Sequence, residues 1–115
     1  MKRYLIAFSF ALLAPSAFAH AMLESASPPV GGAVESPAEI RITFSEGIEP
    51  KFSGVALSGP GGAIPIGKAS VEAGDDKVLI VKVGRKLTPG TYTVKWRAVS
   101  VDTHRTQGDF AFTVK

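Results

Sequence analysis

The chain holds two histidines, His20 and His104, and the second lies two positions after an aspartate in Ser100-Val101-Asp102-Thr103-His104. Imidazole nitrogen and carboxylate oxygen both bind divalent transition metals, and no cysteine is present to add thiolate sulfur. His20 gains a further property if the chain is cut immediately before it. Its α-amine and imidazole then belong to one residue and can chelate one ion together. The free amine has a pKa of about 8 and the imidazole about 6.5, so a strongly binding metal can displace a proton from either near neutral pH. Two nitrogens from His20, one from His104 and an oxygen from Asp102 form a nitrogen-rich, thiol-free set with tetragonal leanings. Such a set favours Cu(II) over zinc or nickel. Taken singly, each histidine also reads as a solvated side chain, and Asp102 as an acceptor for Arg97 or Arg105.

The cut that this chemistry needs is written in the first residues. Met1-Lys2-Arg3 is a positive n-region, Tyr4 to Leu13 is an apolar run broken only by Ser9, and Ala17-Phe18-Ala19 is a small-x-small cleavage site. Residues 1–19 therefore read as a cleaved signal peptide and 20–115 as one exported domain. Cleavage after Ala21 is the competing cut and would discard His20. The apolar run is shorter than the roughly 20 residues that span a bilayer, and no second one follows, so no membrane insertion is expected after cleavage. The 13 Lys and Arg fall to 11 when Lys2 and Arg3 leave, against 10 Asp and Glu. That near-balance, with no run of bases on one element, gives no case for nucleic acid.

The elements that must position the ligands read as short strands. Ala38 to Phe44 alternates, with Ile40, Ile42 and Phe44 on one face. Gly54 to Leu57, Ile64 to Ile66 and Lys68 to Glu72 are shorter candidates, and Lys77 to Val83 is nearly all apolar and β-branched, as for a strand covered on both sides. Thr91 to Val101 places Tyr92, Val94, Trp96 and Ala98 together, and Asp109 to Val114 does the same for Phe110, Phe112 and Val114. Gly59 to Gly62 lacks the lysine and helix start of a phosphate loop and reads as a hairpin turn. About seven strands with turns between them predict an all-β, Greek-key, immunoglobulin-like sandwich or barrel. If the long strand stays extended past Val101, its period of two puts Asp102 and His104 on one face. Trp96, Phe44, Phe110 and Phe112 read as core. Glu46 and Glu24 stay outside the ligand set.

Several segments together resemble the CopC family of periplasmic copper-binding proteins. They are His20-Ala21, Ser27-Pro28-Pro29 with Gly31-Gly32-Ala33, Phe44-Ser45-Glu46, and Tyr92-Thr93-Val94-Lys95-Trp96-Arg97 running through Asp102-Thr103-His104 to Gly108-Asp109-Phe110. The resemblance spans 20–115 and implies a Greek-key β fold. It also implies one Cu(II) held by the His20 amine and imidazole and by His104, with Asp102 as the weaker oxygen ligand and the Ala21 amide as a further nitrogen. It implies a periplasmic copper carrier in homeostasis or resistance, with an inner-membrane transporter of CopD type as partner. Members with a methionine-rich loop bind Cu(I). Here Met1 and Met22 are the only methionines, and Met1 leaves with the leader, so the chain resembles the Cu(II)-only branch.

Other classes predict different features. A copper monooxygenase also uses an N-terminal histidine, but it needs a flat aromatic surface for a polymer and a copper open to reduction. This chain has few spare aromatics, and an aspartate ligand favours Cu(II). A metal-free adhesion or sugar-binding sandwich would leave His20 incidental. No serine-histidine-acid set or paired carboxylates can be identified, so no enzyme activity is expected.

Overall fold

The computed structural model describes residues 21–115. The expected leader, 1–19, and His20 lie outside the described residues. Nine strands follow in order: β1 (Leu23–Ser27), β2 (Ala33–Val34), β3 (Glu39–Phe44), β4 (Gly54–Gly59), β5 (Gly62–Ile64), β6 (Ser70–Glu72), β7 (Asp75–Lys82), β8 (Gly90–Val99) and β9 (Arg105–Val114). They form a four-stranded sheet of order β1-β3-β7-β6 and a five-stranded sheet of order β2-β9-β8-β4-β5. The chain crosses between sheets after β1, β2, β3, β5 and β7, as in a Greek-key sandwich. The expected fold is the observed one. The two strands beyond the seven segments given above are β1, which pairs with β3 at the sheet edge, and two-residue β2, which pairs in parallel with the end of β9.

Alternation along the long strands builds the core. Ile40, Ile42 and Phe44 of β3 are fully buried against Tyr92, Val94, Trp96 and Ala98 of β8 and Phe110, Phe112 and Val114 of β9. Phe44 meets Trp96 edge to face at 5.1 Å, and Tyr92 stacks on Phe112 at 5.7 Å; such ring pairs add to area burial. Leu79 and Val81 of β7 face the core, while Val78 on the opposite face is also buried. Trp96 sits directly across from Gly108, where a Cβ would come within 2.6 Å of the indole. Glycine at 108 thus lets the only tryptophan lie across β9.

β8 and β9 are the longest strands and pair without a break from Gly90↔Val114 to Val99↔Arg105. This ribbon projects the segment 100–104 from one end of the sandwich. A short 3-10 turn, Pro50–Phe52, lies alongside that end. It is tied to β8 by Glu49 N–H donating to Val99 O at 2.8 Å and Val99 N–H donating to Ser53 Oγ at 2.9 Å.

Candidate metal centre

Asp102 and His104 do not share the face of a continuing strand. β8 stops at Val99 and the chain reverses within three residues, Val101-Asp102-Thr103. Thr103 N–H donates to Ser100 O at 2.8 Å and Ser100 N–H donates to His104 O at 2.9 Å, closing the loop. Thr103 takes a left-handed backbone with φ 71°. This is the geometry of a three-residue hairpin loop ending in a left-handed residue. The two ligand candidates are therefore brought together by a turn, not by strand periodicity. The extended reading of 99–104 fails because, among the described residues, β8 has no pairing beyond the isolated bridge Ile48↔Ser100.

The outcome for the side chains is nevertheless convergence. His104 Nδ1 lies 3.2 Å from Asp102 Oδ1, with both side chains nearly half exposed. The same carboxylate oxygen accepts a short hydrogen bond from Ser100 Oγ. Ser100 is wholly buried, and its Oγ also accepts from the His104 backbone N–H at 3.3 Å. One hydroxyl thus ties together the carboxylate and the backbone of the histidine. The hydrogen bond from Ser100, and then that from His104, hold the Asp102 carboxyl below its ordinary range. Asp102 is accordingly an ionised, oriented acceptor at neutral pH.

The start of the described chain runs beside this loop. Ala21 is fully buried, and its carbonyl accepts from Thr106 Oγ1 at 2.9 Å. Thr106 stands two residues past His104 in β9. Met22 N–H donates to Ser45 Oγ at 2.9 Å, and Ser45 N–H returns a bond to Met22 O at 2.9 Å. β1 then begins, Leu23 pairing with Phe44. The entry to the domain is clamped between the end of β3 and the start of β9. Thr106, Ser45 and Ser100 carry this arrangement, yet none stood out in the sequence as a candidate; Ser45 and Ser100 appeared only as members of longer motifs.

The donor set fits a transition metal only in part. Among the described residues no group of three or more His, Cys, Asp or Glu side chains comes together. Asp102 and His104 are two donors side by side, and a metal held there would need further donors from elsewhere. Of the sequence-predicted residues the structure brings Asp102 and His104 together; His20 lies outside the described residues, one peptide unit from Ala21.

The CopC domain profile matches residues 23–115. The chain belongs to the CopC family. It is 42% identical to protein YobA of Escherichia coli over 98% of this chain and 94% of that one. It is 38% identical to copper resistance protein C of Escherichia coli, covering 87% and 85% of the two chains. Among solved structures, that of PcoC, a methionine-rich copper resistance protein from Escherichia coli, superposes with a TM-score of 0.75 at 37% identity, over 84% of this chain and 99% of PcoC. In this CopC-family chain some of the segments that carried the sequence resemblance supply features just described: Ser45 at the chain entry, Gly108 beneath Trp96, and the loop from Ser100 to His104. No helix among the described residues is long and apolar enough to cross a membrane.

Proposed function

We propose that this protein is exported to the periplasm, binds one Cu(II) at its processed N-terminus, and carries copper in homeostasis or resistance. The copper role rests on the family and on relatives named as copper resistance proteins. The protein is a binder and not an enzyme, in keeping with those relatives. The observation that carries the site is the loop in which Asp102 and His104 meet at 3.2 Å, set beside the strand position that tethers Ala21. Cleavage after Ala19 makes His20 the first residue, next to that tether. Its amine and imidazole then supply the donors that Asp102 and His104 lack.

The donor chemistry favours the oxidised ion. Three to four nitrogens and one carboxylate oxygen suit Cu(II), while Cu(I) prefers sulfur. PcoC is described as methionine-rich, whereas this chain retains Met22 alone once Met1 is gone. We assign it to the Cu(II)-only branch on that ground. Delivery to an inner-membrane transporter of CopD type completes the reading.

The deciding experiment is a chelator competition for Cu(II) between protein beginning at His20 and protein retaining Ala19. The extra residue locks the α-amine in a peptide bond and should weaken binding by more than the roughly 10–100-fold that losing a mere ligand-orienting group costs. Equal affinities would show that the N-terminus does not bind copper and would overturn the assignment.

A further inference from the structure

Two open grooves meet at Arg97. One, of about 600 Å³, runs from Phe52 past Arg97 to Arg105 and Gln107 and reaches Thr103 in the 100–104 loop. The other, of about 730 Å³, continues past Lys51 to Lys68 on the flank between β4 and β6. The charged residues lining them are Lys51, Lys68, Arg97 and Arg105, and none of the chain's 10 acidic residues lines either groove. Glu49, adjacent to the Pro50–Phe52 turn, is not among them. In a domain whose charges nearly cancel, this is a segregated band of one sign.

The band is also unneutralised. Among the described residues the ion pairs are Arg41 with Glu39 and Glu72, and His104 with Asp102. None engages the four cations of the grooves. Phe52 sits where the grooves approach each other and is 64% exposed. It does not hang on a loose loop. Ser53, buried beside it, donates to Glu49 O at 2.8 Å and accepts from Val99 N–H at 2.9 Å, pinning the turn to β8. A rigidly presented aromatic flanked by guanidinium groups is the composition of protein-binding hot spots.

We propose that these grooves dock an acidic segment of a partner protein, its carboxylates meeting Arg97, Arg105, Lys51 and Lys68 and an apolar side chain covering Phe52. The concave form suits an extended chain; a lipid surface would favour a protruding basic face. The guanidinium fork of arginine pairs two N–H groups with a carboxylate. Exposed charge pairs are individually weak and fade with salt, so the complex forms fast and releases readily. Because one groove ends at Thr103, between Asp102 and His104, a docked segment lies against the metal-bearing loop. Identification of the partner as one that exchanges copper rests on the function proposed above; the docking itself does not.

The test uses metal-free mature protein at low salt and a labelled synthetic peptide alternating Glu and Leu, read by fluorescence anisotropy beside its Gln-for-Glu counterpart. The Glu peptide should bind at least about tenfold more tightly, and Arg97→Ser with Arg105→Ser should remove about that factor. Arg85→Ser with Lys86→Ser, an equal charge loss elsewhere on the surface, should leave binding intact. Carbodiimide coupling of the bound peptide should concentrate on Lys51 and Lys68. Equal loss in both double variants, coupling spread over all lysines, or no preference for Glu over Gln would overturn the proposal. So would binding of phosphatidylglycerol vesicles through Arg97 and Arg105 without peptide binding. Peptide docking with no Cu(II) affinity would instead sink the copper reading and leave the docking surface standing.

Discussion

The five-stranded sheet closes two hairpins, and they are built in opposite ways. Between β4 and β5 the corner is Pro60-Gly61, closed by the pair Gly59↔Gly62, and the left-handed position is Gly62 at φ 106°. Glycine takes that conformation without steric cost. Between β8 and β9 the left-handed position is Thr103 at φ 71°, the only non-glycine residue with positive φ among the described residues. For a β-branched residue this conformation is a true outlier. The first turn consists of residues that make turns; the second holds a strained backbone between Asp102 and His104. Strain of this kind persists only where surrounding bonds over-determine it, and it gathers at functional sites. Here those bonds are the closing backbone pair, the buried Ser100 hydroxyl, and Val101 N–H donating to Gly47 O at 2.9 Å.

The sharpest way to separate the turns is to remove a ligand candidate from one and a corner residue from the other. His104→Ala should lower Cu(II) affinity by more than about 100-fold. It should leave the melting temperature of the metal-free protein nearly unchanged, since the side chain is half exposed and the backbone bonds remain. Pro60→Ala should leave copper affinity untouched. Chelator competition and thermal unfolding read both variants. Unchanged copper binding in His104→Ala would erase the functional side of the comparison.

Ser100→Ala tests what holds the strained loop. It removes the donor to Asp102 Oδ1 and the acceptor for His104 N–H from a fully buried position. The Asp102 carboxylate left behind is nearly half exposed and can turn to water, so the melting temperature should fall only modestly. Copper affinity should fall by about tenfold, the cost of losing a group that orients a ligand. A distinct Cu(II) electron paramagnetic resonance spectrum would show reorientation of the site beyond a mere loss of stability. A spectrum and affinity identical to wild type would confine Ser100 to folding.

The contrast also explains what could be read before the structure. β3, β7, β8 and the end of β9 were legible because their apolar residues alternate or crowd, and Trp96 and Phe44 fell where that pattern puts them. β9 was expected from Asp109 but begins at Arg105, because Arg105-Thr106-Gln107-Gly108 has no apolar alternation and owes its strand to backbone pairing with β8. Asp102 and His104 were legible as donors by residue type. The turn that joins them was not, since Val-Asp-Thr lacks the glycine that marks a left-handed position. Thr106 stayed hidden for a different reason: its partner Ala21 is 85 residues away, and only the completed sandwich brings them together.

Exchanging the two left-handed residues gives a smaller and opposite pair of effects. Thr103→Gly relieves a conformation that costs an ordinary residue about 1–2 kcal/mol, offset in part by the greater freedom of glycine in the unfolded chain. It should raise stability by about 1 kcal/mol while weakening copper binding severalfold, because the loop gains alternative conformations. Gly62→Ala should lower stability by about 1 kcal/mol with no effect on copper. The site around Gly62 has no atom within 4 Å of a new Cβ, so its cost is purely one of backbone conformation. Stability and function should therefore move in opposite directions in one turn and only stability in the other. A Thr103→Gly protein that is both more stable and an equal copper binder would show the strain to be incidental.

The mildest test leaves the covalent structure alone and changes the pH. In the metal-free protein the Asp102 carboxyl is held below its ordinary value of 3.8, chiefly by the hydrogen bond from Ser100 and then by that from His104. For a carboxyl lowered on folding, the stabilisation is fully present above the ordinary pKa and is lost as pH falls through the lowered folded one. The loop should consequently keep its Asp102 contacts across the whole neutral and mildly acidic range and loosen only below pH 3.8. A carboxyl-detected NMR titration should find the Asp102 midpoint under that value. The same titration in Ser100→Ala should find it displaced upward, because the largest cause of the lowering has been removed. A midpoint insensitive to Ser100 would mean that the buried hydroxyl does not organise the carboxylate, and the account of how this turn holds its strained conformation would fail with it.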